Sequence, residues 1–342
     1  MTFNALFKNV WNSKFTNKSE NSYVKIIKYF KLFGFDNFYF KAIESQRVPN
    51  WIKVLINQIN IVVLGMRILL TTILSLSVLA IIFSCARNES KTQKQEQWIQ
   101  LFNGKDLTGW DIKFSGLKIN ENYKNTFKVE DGILKVDYSE YENFDKKYAH
   151  LYYEKPYSHY RIRIEYRFVG EQLPGGEVWE NFNSGVMLHS QSAVEQQLNQ
   201  DFPASIEMQF LGEVQGENRT NGNLASPGTH VYAEGKLHKN HMLYSTYTAP
   251  AGEKWVNIEA IVLGDSIVHH VVEGDTALTY TKPHIGGWEK RGDRKRPWVD
   301  DLSWFVQNEG KQLKEGYIAL QAESHGIHFR KIELLDLSER FK

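Results

Sequence analysis

From His159 to Phe168 the chain alternates without a break: Tyr160, Ile162, Ile164, Tyr166 and Phe168 on one side, Arg161, Arg163, Glu165 and Arg167 on the other. Successive side chains of a strand point to opposite faces, so this run reads as a strand with one face buried and one face wet. Trp255 to Leu263 repeats the pattern. Val256, Ile258, Ala260 and Val262 make the apolar face, and Trp255, Asn257 and Glu259 lie opposite. Further strands are expected over 132–137, 184–190, 205–211, 266–272, 278–280, 316–321 and 328–335, separated by turns rich in Gly, Asn, Asp and Pro. No long 3.6-residue period occurs after Trp98. Many strands and few helices predict an all-β sandwich.

Ahead of the strands lies a segment of another kind. Residues 68–84 carry no charge and are mostly apolar, with Met66 and Arg67 before them and Ser84-Cys85 closing the run. A short positive region, an apolar stretch and a small residue before the cleavage point make an export signal. With Cys85 directly after Ser84, the pattern resembles a bacterial lipoprotein signal, although Phe83 is bulky where a small residue is usual. An uncleaved anchor helix is the alternative, because the apolar run counted back to Ile61 is long enough to span a bilayer, with Arg67 interrupting it. Either reading puts the C-terminal part outside the cytoplasm, in the periplasm or at the cell surface, on a bacterial membrane that would be the outer one. Residues 1–65 are read as an extension. It is either cytoplasmic or the product of a start assigned too early, with Met66 the true initiator, and the second is favoured. Residues 86–97 are a polar tether, and residues 98–342 form the folded domain.

Cys85 is the one cysteine, so the chain makes no internal disulfide and no thiolate zinc site. Formal net charge is +1, which gives no reason to expect a nucleic-acid partner. The loop 284–304 is charged and aromatic, but its Asp residues offset much of the charge of its Arg and Lys. It is either a solvated loop or a rim that grips substrate.

The alternation also sorts polar groups. In 205–210, Ile206, Met208 and Phe210 take the core face, which leaves Glu207 and Gln209 together on the other. In 317–323, Ile318, Leu320 and Ala322 face the core, and Tyr317, Gln321 and Glu323 lie opposite. Glu259 is on an outer face as well. Strand outer faces are ordinarily polar and exposed. A concave face carrying Glu, Gln, Trp and Tyr is also what a sugar cleft needs, and periodicity leaves both readings open.

Several segments add to this: Leu101-Phe102-Asn103-Gly104-Lys105-Asp106-Leu107-Thr108-Gly109-Trp110, then Phe127-Lys128-Val129-Glu130-Asp131-Gly132-Ile133-Leu134, Asn183-Ser184-Gly185-Val186, Ile206-Glu207-Met208-Gln209, and Gly316-Tyr317-Ile318-Ala319-Leu320-Gln321-Ala322-Glu323 with Phe329-Arg330-Lys331-Ile332. In order and spacing they resemble the 3-keto-disaccharide hydrolase domain family over about Trp98 to Leu337. The resemblance implies a jelly-roll sandwich of the concanavalin A-like lectin and glucanase type. It implies cleavage of glycosides whose sugar has first been oxidised to a 3-ketone, with a non-catalytic glycan-binding surface lipoprotein as the alternative.

A C3 ketone acidifies the hydrogen on C2. A base removes it, the C1 group departs by elimination, and water adds back. This chemistry needs one base, one acid, and polarisation of the ketone by a metal or by hydrogen-bond donors. Glu207 and Glu323 are the candidate catalytic carboxylates. Gln209 and Gln321 are expected to bind hydroxyls, and Asn183 to open an Asn-Ser-Gly turn close to the ligand. His189, on the strand face of Met187 and either core or site, and His230, on an expected cleft loop, complete the substrate-binding candidates. No cofactor is required with certainty, and a divalent metal ion is the one candidate.

Overall fold

The computed structural model describes residues 96–288 and 299–341, with isolated helical positions between 50 and 75. Of the signal segment, residues 68–73 and 75 are described, all helical. Cys85, residues 1–49, most of the tether and positions 289–298 of the charged loop lie outside the described residues. Among the described residues, no helix is long and apolar enough to cross a membrane.

The described strands are β1 (Ile99–Gln100), β2 (Trp110–Phe114), β3 (Phe127–Glu130), β4 (Ile133–Val136), β5 (Ala149–Tyr153), β6 (His159–Phe168), β7 (Asn183–Ser190), β8 (Ile206–Leu211), β9 (Thr220–Asn221), β10 (Asn223–Ala225), β11 (Thr229–Ala233), β12 (Lys236–His238), β13 (Met242–Leu243), β14 (Tyr247–Thr248), β15 (Val256–Leu263), β16 (Ile267–Val272), β17 (Asp275–Ile285), β18 (Tyr317–Ala322) and β19 (Ile327–Asp336). One short helix, α1 (Ser303–Asn308), precedes β18. The ten-stranded sheet runs β12-β11-β17-β16-β15-β6-β19-β4-β3, with β1 on β19. The seven-stranded sheet runs β13-β10-β8-β7-β18-β5-β2, and β14 pairs with β9. This is the jelly-roll sandwich that the alternation and the resemblance predict.

The core fills the space between the sheets. Tyr160, Ile162, Ile164, Tyr166 and Phe168 of β6 are buried, as are Ile206, Met208 and Phe210 of β8 and Ile318, Leu320 and Ala322 of β18. The rings of Tyr166 and Phe210 stack across the two sheets at 4.4 Å. Fully burying each aliphatic or aromatic side chain contributes about 1.5–3 kcal/mol, so the face-to-face packing of β6 on β8 and β18 rests on side chains that alternation alone identifies.

Alternation misses β5, because Ala149-His150-Leu151-Tyr152-Tyr153 is buried on both faces and shows no period. The cause is a second layer. The other face of the seven-stranded sheet is covered by the segments 138–148, 171–182 and 191–204. Tyr141, Phe144, Tyr148, Leu173 and Phe202 form a separate apolar cluster there. The polar face of β8 and β18 is therefore enclosed rather than open to solvent.

Candidate active site

Strand register puts the predicted carboxylates together. On β7 and β8, Met187 opposes Glu207 and Gly185 opposes Gln209. On β18 and β7, Ala319 opposes Met187, so Gln321 comes level with Gly185. Gln321 opposes His150 on β5, and His150 opposes Lys113 on β2. Asn223 on β10 opposes Gln209. Directly opposed residues share a face, so Lys113, His150, Gln321, Gly185, Gln209 and Asn223 form one row across the sheet. Glu207 flanks that row on one side. Glu323, just past β18, and Asn183 flank it on the other.

Gly185 makes the centre of the row low. A Cβ there would stand 2.3 Å from Oε1 of Glu207 and 2.7 Å from its Cγ. The missing side chain is what lets the Glu207 carboxyl fold over the backbone of β7.

These groups are buried and short of partners. Glu207 is 4% exposed, Glu323 and Gln321 2%, and His150 fully buried. Oε1 of Glu207, Oε1 of Glu323, Oε1 of Gln321, Oδ1 of Asn183 and both ring nitrogens of His150 take no hydrogen bond within the protein. Leaving a buried polar atom unpaired costs about 1–3 kcal/mol. A fold that gathers several on one face is built to pair them with something else.

Burial pushes the Glu207 carboxyl up to about 8. Glu323 lies well above the usual carboxylate range, because it is buried and also faces the charges of Glu207 and Glu180. Burial and the neighbouring Lys113 ammonium push His150 down to about 3, so its imidazole is neutral at ordinary pH. Lys113 is itself tied down: its Nζ donates to the carbonyls of Phe114 (2.7 Å), Leu117 (3.1 Å) and Leu198 (3.0 Å).

Sequence reasoning missed His150 and Glu180. His150 lies in the unpatterned run of β5. Glu180 ends a 3-10 turn, Val178–Glu180, where nothing in the period marks it. It is fully buried, accepts the Tyr148 hydroxyl at 2.5 Å and the Glu177 backbone N–H at 2.8 Å, and its charge reaches Glu323. The wall beside it is aromatic: the Phe202 ring lies 4.9 Å from that of Tyr148 and 5.9 Å from that of His150. At the rim Trp179 is 50% exposed. Its backbone carbonyl accepts hydrogen bonds from Nδ2 of Asn183 and from Arg219.

Several expectations need correction. Asn183 opens β7 rather than a turn, and reaches the site as a strand residue. His189 has φ of 47°, which breaks the alternation and turns its side chain away from the face of Met187. Its ring packs against Tyr160 in the sandwich core at 5.7 Å, and Nε2 pairs with the Gly264 carbonyl. His230 is on β11, in the ten-stranded sheet, opposite His284, and not on a cleft loop. Glu259 is on the outer face of that same sheet, held by Arg161 at 2.8 Å and Arg163 at 2.7 Å. Of the candidate residues, Glu207, Gln209, Gln321, Glu323 and Asn183 come together; Glu259, His189 and His230 do not.

Among the described residues, no three His, Cys, Asp or Glu side chains stand where they could share a metal ion.

A structure from Parabacteroides distasonis ATCC 8503, provisionally named a glycosyl hydrolase, is similar at 20% identity over 72% of this chain and 97% of that one, with a TM-score of 0.41. A Bacillus subtilis protein of unknown function with a galectin-like fold is similar at 12% identity over 70% of this chain and 94% of that one, with a TM-score of 0.37. No curated protein matches the chain. The sequence profile of the 3-keto-alpha-glucoside-1,2-lyase-like domain matches residues 97–335, and the chain belongs to that family.

Proposed function

We propose that the domain cleaves glycosides whose sugar carries a ketone at C3, and that it does so outside the cytoplasm, tethered by lipid on Cys85. The observation that carries the chemistry is the pair Glu207 and Glu323. Both are buried, both have an oxygen without a protein partner, and both are held above the usual carboxylate range, Glu207 by burial and Glu323 by burial together with the charges of Glu207 and Glu180. Two carboxyls pushed apart in this way divide into a base and an acid. Glu207 ionises first and is the base, with a pKa near the working pH as general catalysis requires. Glu323 keeps its proton and is the acid.

Glu207 takes the C2 proton. The C1–O bond breaks, and Glu323 gives its proton to the leaving oxygen, leaving an unsaturated ketone. Water then adds across C1 and C2. Its hydroxyl goes to C1 while Glu323 takes the proton back, and Glu207 returns a proton to C2. Gln321, Gln209 and Asn183 line the same face and orient hydroxyls, and Trp179 offers a ring at the rim. The family match supports the 3-keto substrate, and the signal-like run before Cys85 supports the location.

The test is to incubate the purified protein with 3-keto-trehalose and 3-keto-lactose, with and without divalent metal, and to follow release of the free sugar by chromatography. Release that is lost in Glu207→Gln supports the reading. Saturable glycan binding without release from any C3-oxidised glycoside would replace it with a non-catalytic binding module.

A further inference from the structure

We infer that His150 is the hydrogen-bond donor for the ketone oxygen of the substrate. The inference rests on the reading above and adds the group which that chemistry still lacks, the one that polarises the carbonyl.

The face around Gly185 offers several acceptors and few uncommitted donors. Its unpaired oxygens, on Glu207, Glu323, Gln321 and Asn183, suit sugar hydroxyls, which donate. A ketone oxygen only accepts and must meet a donor. Several donors nearby are already committed. The Lys113 ammonium holds three backbone carbonyls, the Tyr148 hydroxyl holds Glu180, the Asn183 amide holds Trp179, and the Asn223 amide holds Gln209 and the Thr220 carbonyl. His150 is fully buried with neither ring nitrogen paired. It is level with Gln321 in the row that runs to Gly185, under the Glu207 carboxyl.

Its surroundings keep it a donor and not a proton source. Lys113 faces it from β2, Gln321 from β18, and Phe202 from the covering loop, with Tyr152 two residues along its own strand. A neutral imidazole presents one N–H and holds it through the reaction, a recognised way to polarise a carbonyl. As Glu207 takes the C2 proton, the C–H pair moves into the C2–C3 bond and the carbonyl π pair moves onto the oxygen. That oxygen then carries full negative charge, so the bond from His150 strengthens in the transition state. The Lys113 charge behind the ring favours the same build-up. The pair then returns, the C1–O bond breaks, and His150 ends as it began.

The test uses His150→Leu and His150→Gln with 3-keto-trehalose, alongside exchange of the C2 hydrogen in D2O. Removing one such donor costs roughly 100- to 1,000-fold in kcat. His150→Leu is expected to lose that much in both turnover and exchange, with KM changed only a few-fold (about 3-fold or less) on the same argument. His150→Gln, which keeps an N–H, is expected to recover about 10-fold or more of it. A folded His150→Leu that retains turnover and exchange overturns the inference while the glycosidase reading stands. A wild-type protein that neither cleaves nor exchanges any C3-oxidised glycoside overturns both. A variant-free check is 15N NMR of the His150 ring: a shift with the 3-keto sugar and none with its parent supports the assignment, and no shift with either overturns it.

Discussion

The carboxyl of Glu207 occupies the space that a side chain on residue 185 would fill: a Cβ built on Gly185 would stand 2.3 Å from its Oε1. The obstruction is the far end of a flexible side chain, so Gly185→Ala is expected to fold with the carboxyl displaced. A shift of about 1 Å in a catalytic group can cost about 100-fold. The expected result is a loss of about that size in kcat with the melting temperature within a few degrees of wild type. Unchanged turnover would mean that the position of Glu207 does not matter.

Glu207 also predicts how stability varies with pH. Its carboxyl is raised from 4.5 to about 8 in the folded protein. The folded state therefore holds a proton that the unfolded chain releases. The favourable contribution is complete below about pH 4.5 and is lost as pH climbs through 8, at a limiting slope of about 1.4 kcal/mol per pH unit. Glu207→Gln removes this term. Thermal melts are expected to show the variant matching wild type near pH 5 and exceeding it near pH 8, while its catalysis is lost. Wild-type turnover is expected to rise towards pH 8 as Glu207 ionises.

The parts of this site that could be read from the sequence are those that obey a period. Glu207 and Gln209 alternate against Ile206, Met208 and Phe210, and Gln321 and Glu323 against Ile318, Leu320 and Ala322, so their facing away from the core was legible. That this face is enclosed was not, because the cover comes from irregular segments such as 171–182 and 191–204. His150 stayed hidden because β5 is buried on both sides and has no period. His189 was misplaced because a positive φ, which alternation cannot show, reverses its side chain. His230 reads as a loop residue after Pro227-Gly228, and Glu259 as an outward strand residue by parity; both lie in the other sheet. Which sheet a strand joins depends on pairings between distant segments, and parity within one strand carries no information about that.

The lipid anchor is the prediction that depends least on the fold. Cys85 follows Ser84 at the end of an uncharged apolar run. If the run is a lipoprotein signal, a chain labelled with radioactive palmitate in a bacterial host will carry the label and sediment with membranes. Cys85→Ser is expected to lose the label. A variant that keeps it would rule out lipid on Cys85, and an unlabelled wild type still held in the membrane would favour the uncleaved anchor.

Tyr148 and Glu180 are a pair whose partners can be separated. The hydroxyl donates to Oε1 of Glu180 at 2.5 Å, and both residues are buried beside Glu323. Tyr148→Phe leaves a buried carboxyl one partner short, which costs about 1–3 kcal/mol. The Glu177 N–H bond to the same carboxyl remains, so the expected loss lies toward the lower end, read from the denaturation midpoint at pH 7. Glu180 loses the bond that favours its charged form, so its proton is held to higher pH. A protonated Glu180 no longer repels charge on Glu323, which can then ionise more readily. The alkaline limit of turnover, set by Glu323 as the acid, is therefore expected to move to lower pH in Tyr148→Phe. A variant that loses stability with an unmoved pH profile would restrict the pair to holding the loop.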